Sequence, residues 1–486
     1  MDVMSLKLTP EEAASVIKDG MTIAMSGWAM AGYPKAIPEE LVKRKQAGEN
    51  LSIKLITGAN VPWLDEKLGN EGIVKRRVPM VAGRALSSQA NNGSLNYVEQ
   101  QMCKMPRLLK SGSFGSIDVA VVEALGFDKE GNLIPSSSIG MTHYLMDAAK
   151  EIIVEINSAQ PLILKELHDL HIPAPAPETR PIPLLRTGQR IGQGAIPVDS
   201  SKISGIVETS IPERMTAQAK GTELTNKIAG CLFEFLEKEY EADLPPIQTG
   251  FGGLADSIAH AFQHSKFENL EFFCGGVTEP VLELLASGKA AAVSTGGIGI
   301  SDRVIEILEN TPDLSDKLVI RNGDITNGAE IIGRLGLIAL NTGIEIDIYG
   351  NVNSSHIAGS RVVNGIGGGA GFAQNAGLSI LLIPSVARGG AISGIVPMVS
   401  HQDISEHDID VVVTENGIAD LRGLDDLERA EAIIGNCASE TYREQLSAYL
   451  NKSKELCGGH HPQLPVDAFE WYRRLKDEGS MLEKKV

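Results

Sequence analysis

Four glycine-rich stretches in the second half of the chain, 248–253, 275–278, 294–301 and 364–372, are where backbone could meet a ligand. Without Cβ atoms, successive N–H groups can close on an anion as a nest, or on a developing charge as an oxyanion hole. The last stretch contains Gly365-x-Gly367-x-x-Ala370, a loose form of the dinucleotide fingerprint. Only about six residues separate it from the next apolar run, too few for the helix that the fingerprint opens. The position about 20 residues on falls around Arg388, where that motif needs an acidic ribose ligand. The sequence has no GxxxxGKS/T loop and no GxSxG elbow, which disfavours nucleotide-triphosphate and serine-hydrolase chemistry.

The other chemistry-bearing side chains are dispersed. Among ten histidines, the pairs His168-x-x-His171 and His460-His461 both read as loop features, and no metal site is expected. His401 and His407 flank an acidic turn at 403–406, where structural hydrogen bonding is the default. Five cysteines, odd in number and without CxxC spacing, fit a reducing compartment and leave no cysteine zinc site. Cys274 borders a glycine stretch and is a conceivable thiol nucleophile, although a buried, inert cysteine is the better reading.

The elements that must position these loops are legible in the apolar pattern. Runs at 53–57, 119–123, 152–156, 203–207, 290–293, 378–383 and 411–414 are Val- and Ile-rich and mostly lack polar alternation. That is how strands covered on both faces read. Amphipathic stretches at 226–239, 280–286 and 303–309 alternate with them, which predicts α/β architecture with largely parallel sheets. Asp128-x-x-Gly131-Asn132, with Ser136 and Gly140 beyond, recurs as Asp347-x-x-Gly350-Asn351 with Ser355 and Gly359. This weak repeat predicts two related α/β domains, 1–217 and 218–486, with the site at their interface. The boundary is expected near 212–223. The proline-rich stretch 172–183 can be neither regular helix nor central strand, and a terminal helix is predicted at 466–476.

At 486 residues, two domains are the default. A net charge of −18 argues against a nucleic-acid surface, while leaving room for a locally basic pocket. Thr9-Pro10-Glu11-Glu12 reads as a capped helix start without an apolar region before it, and no window reaches the length of a membrane span. The expectation is a cytoplasmic enzyme acting as a homo-oligomer, with neither nucleic-acid nor membrane partner.

Around these loops the sequence resembles the acetyl-CoA hydrolase/transferase group of type I CoA-transferases, over nearly the whole chain. The matching stretches are Ser26-Gly-Trp-Ala-Met-Ala-Gly-Tyr-Pro-Lys35, Leu55-Ile-Thr-Gly-Ala59, Arg190-Ile-Gly192 and Leu337-Ile-Ala-Leu-Asn341. They continue in Ile344-Glu-Ile-Asp-Ile-Tyr-Gly-Asn-Val-Asn-Ser354, Asn364-Gly-Ile-Gly-Gly368, Ile395-Val-Pro-Met398, Glu406-His-Asp408 and Ala419-Asp-Leu-Arg-Gly-Leu424. The resemblance implies two open CoA-transferase domains. It also implies coenzyme A or acyl-CoA as substrate rather than as a permanent cofactor, and a small carboxylic acid as acceptor. In that group a glutamate attacks the acyl-CoA and is captured as a glutamyl-CoA thioester, while backbone N–H groups stabilise the oxyanions. Loop by loop, those donors fall on Phe251 and Gly368, and an asparagine near the acyl group on Asn327. Asn364, Gly367 and Gly369, with Gly275 and Gly276, are the expected CoA-binding positions. Trp28, Met30 and Trp63 fit an acyl pocket or core packing equally.

The nucleophile departs from the pattern: Gly275 stands where the group has glutamate. Glu279, four residues on, reads first as a helix N-terminal charge and second as a substitute nucleophile. Cys274-Gly-Gly-Val-Thr278 and Gln248-Thr-Gly-Phe-Gly-Gly253 look like loops of the citrate lyase α subunit, which exchanges acyl groups without an enzyme glutamate. Gly296 and Gly297 stand where the relatives carry serines, Gly371 replaces an aspartate, and Gln402 and Ile404 replace an apolar residue and a histidine. The leading expectation is CoA transfer by direct carboxylate attack. Transfer from an acyl-carrier protein, acyl-CoA hydrolysis and non-catalytic CoA binding remain as alternatives.

Overall fold

The computed structural model describes residues 6–59, 61–174, 176–213 and 221–483. The chain groups into two compact units. The first comprises Met1–Ala217, Asn269–Leu335 and Val363–Gly371; the second comprises Gln218–Glu268, Gly336–Val362 and Phe372–Val486. The first change of unit thus comes at 217/218, but the rest of the chain is shared between both units. Within the expected boundary stretch, residues 214–220 lie outside those described, as does Pro175 of the proline-rich stretch.

In the first unit, seven strands run parallel in the order Asn96–Tyr97, Val74–Val78, Ile53–Thr57, Thr22–Met25, Ile117–Phe127, Ala149–Asn157, Ile203–Thr209. Leu133–Pro135 folds back antiparallel on Ile117–Phe127. A second parallel group runs Leu270–Cys274, Ala290–Thr295, Leu318–Arg321, His168–Asp169. The unalternating apolar runs are strands buried on both faces: the consecutive pairs Val121 and Val122, Ile152 and Ile153, and Ile206 and Val207 all lie in the core. Burying each such side chain contributes about 1.5–3 kcal/mol. The proline-rich stretch is irregular where described and belongs to this unit.

In the second unit, Val411–Thr414, Leu378–Leu382, Ile338–Thr342 and Ile247–Thr249 pair in parallel, and Gly417–Asp420 closes on Val411–Thr414 as an antiparallel hairpin. Helix Glu223–Glu239 starts where Thr222 caps Thr225 N–H, and it buries Ile228, Leu232, Phe235 and Leu236 along one stripe. The predicted terminal helix is Pro465–Glu478, with Pro465 in its first turn and Gly479 beyond it at φ 80°.

The repeated motif forms one turn twice. Asp128 N–H donates to the Asn132 carbonyl at 2.9 Å, and Asp347 N–H to that of Asn351 at 3.0 Å. Each aspartate carboxylate accepts the backbone N–H of its asparagine, at 2.8 and 2.9 Å. Each turn joins an antiparallel pair, Ile117–Phe127 with Leu133–Pro135 and Glu345–Asp347 with Val352–Asn353. Gly131 and Gly350 take φ of 85° and 113°, which the turn demands and only glycine adopts freely.

Candidate functional site

Strand Leu270–Cys274 delivers the chain into the 275–278 turn, from which helix Glu279–Ala286 departs. The Gly275 carbonyl accepts two hydrogen bonds, from Gly296 N–H at 3.1 Å and from the Trp28 indole N–H. A Cβ on Gly275 would lie 3.3 Å from Asn327 Oδ1 and 3.6 Å from its Nδ2. Position 275 therefore faces a side-chain amide. Asn327 is 4% exposed, and its Oδ1 accepts from Thr326 Oγ1 at 3.0 Å.

Trp28 is core, not pocket lining: it is 2% exposed. Its loop closes through paired Trp28–Ala31 backbone hydrogen bonds, with Ala29 and Met30 at φ 54° and 68°. Four glycines make room for it. A Cβ on Gly140, Gly296 or Gly323 would come within 2.4–2.7 Å of Trp28 atoms, and one on Gly58 within 3.2 Å. A Cβ on Gly297 would strike Ser138 Cβ at 2.7 Å and the Trp28 carbonyl at 2.8 Å. The glycines at 296 and 297 are thus part of the same packing arrangement as Trp28 and the Gly275 carbonyl. Trp63 stacks on Tyr33, with ring centroids 5.4 Å apart.

Beneath these loops lies a buried charge network that sequence reasoning missed, because its members are far apart in the chain. Glu213 Oε1 accepts from Gly32 N–H at 2.6 Å, Ser137 Oγ at 2.7 Å and Gln160 Nε2 at 3.2 Å. Its Oε2 accepts from Ile300 N–H at 3.0 Å. One carboxylate thereby ties the Trp28 loop, the 137–138 segment and the 294–301 loop together. Lys35 Nζ pairs with Glu123, donates to the Tyr33 carbonyl at 2.9 Å and lies 4.0 Å from Glu213. Glu155 accepts the N–H groups of Lys35, Ala36 and Ile37 at the start of helix Ala36–Gln46. Burial pushes the Glu155 and Glu213 carboxyls above their ordinary range, against the backbone hydrogen bonds at Glu155 and the Lys35 charge at Glu213.

The remaining sequence candidates fall in three places. Glu279 opens its helix, and its Oε2 accepts from Ser301 Oγ at 2.6 Å; Ser301 in turn caps the helix Asp302–Asn310. Gly276 shares the Gly275 turn. Asn364, Gly367, Gly368 and Gly369 follow one another in another stretch of the first unit, where Ile366 N–H donates to Glu99 at 2.8 Å and the Gly367 carbonyl accepts from Met102 N–H at 3.1 Å. Phe251 lies in the second unit, between strand Ile247–Thr249 and helix Gly253–Phe262. The structure therefore brings Gly275, Gly276, Glu279 and Asn327 together around one turn. Cys274 is fully buried, which removes it as an accessible thiol, and none of the five cysteines is in a disulfide. His168 is buried with Nε2 on the Ser136 carbonyl at 2.8 Å, and burial pushes it down to about 4.

Solved structures define the fold. RipA from Yersinia pestis superposes with a TM-score of 0.72 at 20% identity, covering 93% of this chain and 99% of that one. A 4-hydroxybutyrate CoA-transferase from Porphyromonas gingivalis gives 0.64 at 20%, covering 92% and 98%. The fold is that of the CoA-transferases.

Sequence relatives narrow it. The N-terminal domain of the acetyl-CoA hydrolase/transferase family matches residues 5–208 and its C-terminal domain matches 302–450. The chain belongs to that family. It is 37% identical over 482 residues to the succinyl-CoA:acetate CoA-transferase of Clostridium kluyveri, covering 98% of this chain and 90% of the relative. It is 35% identical to the propanoyl-CoA:succinate CoA transferase of Escherichia coli, covering 99% and 100%. It is also 33% identical to the acetyl-CoA hydrolase of Neurospora crassa, covering 98% and 95%. Among the described residues no helix is long and apolar enough to cross a membrane.

Proposed function

We propose that this chain transfers CoA from an acyl-CoA to a small carboxylic acid without an enzyme-bound thioester, the acceptor carboxylate attacking directly. The observation that carries the proposal is at position 275. A turn fixed by the Trp28 indole and Gly296 presents a glycine to the Asn327 amide, where the family's resemblance implies a glutamate. Glycine offers no nucleophile, while Asn327 remains to orient a carbonyl or carboxylate.

An acceptor carboxylate oxygen adds to the thioester carbonyl, and the tetrahedral intermediate expels CoA thiolate to leave a mixed anhydride. The thiolate then attacks the acceptor's own carbonyl in that anhydride and releases the donor acid as its carboxylate. No net proton is consumed. Backbone N–H groups at Phe251 and Gly368 serve as the oxyanion donors, the 364–369 and 275–276 glycines admit the CoA thioester, and Glu279 stays with Ser301. CoA enters as a substrate, so no permanent cofactor is required, and five cysteines without a disulfide suit a reducing cytoplasm.

Intact-protein mass spectrometry after incubation with acyl-CoA alone tests this. The expected result is no mass gain, together with intersecting initial-rate lines when acyl-CoA and acid are varied. A CoA-sized adduct, lost in Glu279→Gln, and parallel lines would refute it and return the chemistry to a covalent carboxylate. Free CoA released at the full rate without acid would instead indicate hydrolysis, the activity that names the Neurospora relative.

A further inference from the structure

The sequence pair His460-His461 acquires partners in the fold, all within the second unit and independent of CoA transfer. His461 Nδ1 lies 2.7 Å from Asp426 Oδ2 and 4.0 Å from Glu406 Oε1. Ligand atoms of Glu406, Asp426 and His461 all fall within 4.8 Å of one another. His460 Nδ1 is 3.1 Å from the same Asp426 oxygen. We propose that Glu406, Asp426 and His461 form a three-ligand binding site for a zinc-like divalent cation.

The spacing suits such an ion. Nitrogen and oxygen ligands sit about 2.0–2.2 Å from zinc in a tetrahedron, which places neighbouring ligand atoms roughly 3.3–3.5 Å apart. The His461 separations of 2.7 and 4.0 Å straddle that value, so shifts of about 0.6 Å in flexible side chains bring them to it. The donor set, imidazole plus carboxylate, favours zinc-type ions over magnesium, which prefers an all-oxygen octahedron.

The ligands are also supported from behind, as in built metal sites. The other Glu406 oxygen, Oε2, accepts from Asn351 Nδ2 at 2.6 Å. Asn351 is held in turn by Gln402 at 2.7 Å and by the Asp347 turn. In the first copy of that turn, Asn132 donates its amide to Asp128 at 2.9 Å; the second copy extends the same chemistry outward to Glu406. His461 stacks on Tyr349, centroids 3.9 Å apart, while Tyr349 Oη donates to the Pro462 carbonyl at 2.5 Å. Asp426 begins a helix whose start is fixed by the Asp425–Glu428 capping box. The nearby cation, Arg429, is spent on the carbonyls of Tyr349 and Glu406 at 2.9 and 2.6 Å. The side chains of His461, Asp426 and Glu406 are 29%, 21% and 15% exposed, open enough for an ion to enter. A bound ion ties the 406–408 turn and the Asp426 helix to the linker that leads into Pro465–Glu478.

Calorimetric titration of the chelator-treated, full-length protein with zinc chloride tests the site, with His461→Gln, Asp426→Asn and His401→Ala as variants. The expected result is binding of one ion, weakened at least tenfold by His461→Gln and by Asp426→Asn and unchanged by His401→Ala, with zinc slowing proteolysis of the 458–464 linker. Circular dichroism of both site variants confirms that they fold. No saturable zinc binding, binding that survives both site substitutions, or binding lost with His401→Ala overturns the proposal.

Discussion

The Trp28–Gly296 packing makes a quantitative prediction through a double-mutant cycle. In Gly296→Ala the new Cβ would sit 2.4 Å from Trp28 Nε1, 2.7 Å from its Cδ1 and 2.7 Å from the Gly275 carbonyl oxygen. Overpacking of this kind costs about 1–3 kcal/mol, and displacing the indole from its hydrogen bond adds about 1 kcal/mol. The single variant should lose about 2–4 kcal/mol. Trp28→Ala opens a cavity in a buried site and should cost about 3–5 kcal/mol. In the double variant the indole atoms that the methyl strikes are gone, while the carbonyl contact remains. Its loss should therefore fall short of the sum by about 1–3 kcal/mol. Urea-unfolding midpoints of the four proteins, followed by circular dichroism, supply the numbers. The transfer rate supplies a second readout, because a displaced 275–276 peptide misaligns whatever docks there; Gly296→Ala should lower it about 100-fold with little change in KM for the acid. Additivity within about 0.5 kcal/mol would show that the two residues do not share space and would remove the argument that Trp28 supports the turn.

Two further outcomes are expected. Gly275 lies outside the positive-φ positions, and an added Cβ has a first contact of 3.3 Å, so Gly275→Glu should fold with a cost of about 1–2 kcal/mol; mass spectrometry should then detect a CoA-sized adduct that wild type lacks. His168 is held neutral when folded, near 4 against an unfolded 6.5, so the unfolded chain binds the extra proton and stability is lost as pH falls from about 6.5 towards 4. His168→Gln, which can still donate to the Ser136 carbonyl, should remove up to about 3 kcal/mol of that acid sensitivity, read as a flatter dependence of the urea midpoint between pH 7 and 4.

How much of this was legible depends on whether the signal was local. The apolar runs at 53–57 and 411–414 coincide with strands because two-sided burial writes itself into consecutive residues. Strand Val74–Val78 gave no such run: it reads Val-Lys-Arg-Arg-Val, and its second arginine, Arg77, is tolerated in the core by Asp65 at 2.8 Å. The Asp-x-x-Gly-Asn repeat was readable because an aspartate capping its own turn is a short-range device. The networks around Glu213 and His461 were not, since each closes over residues brought together by topology alone.

Position 275 lies between these cases. Its identity is a single letter, and comparison with relatives suffices to notice that it is glycine. How a glycine is accommodated there follows only from the fold. Trp28, Gly296 and Gly297 sit in three distant segments, yet each is the size that the others require, and the Gly275 carbonyl is doubly hydrogen-bonded among them. If the acceptor carboxylate attacks directly, as proposed, this closely packed turn is the surface that receives it.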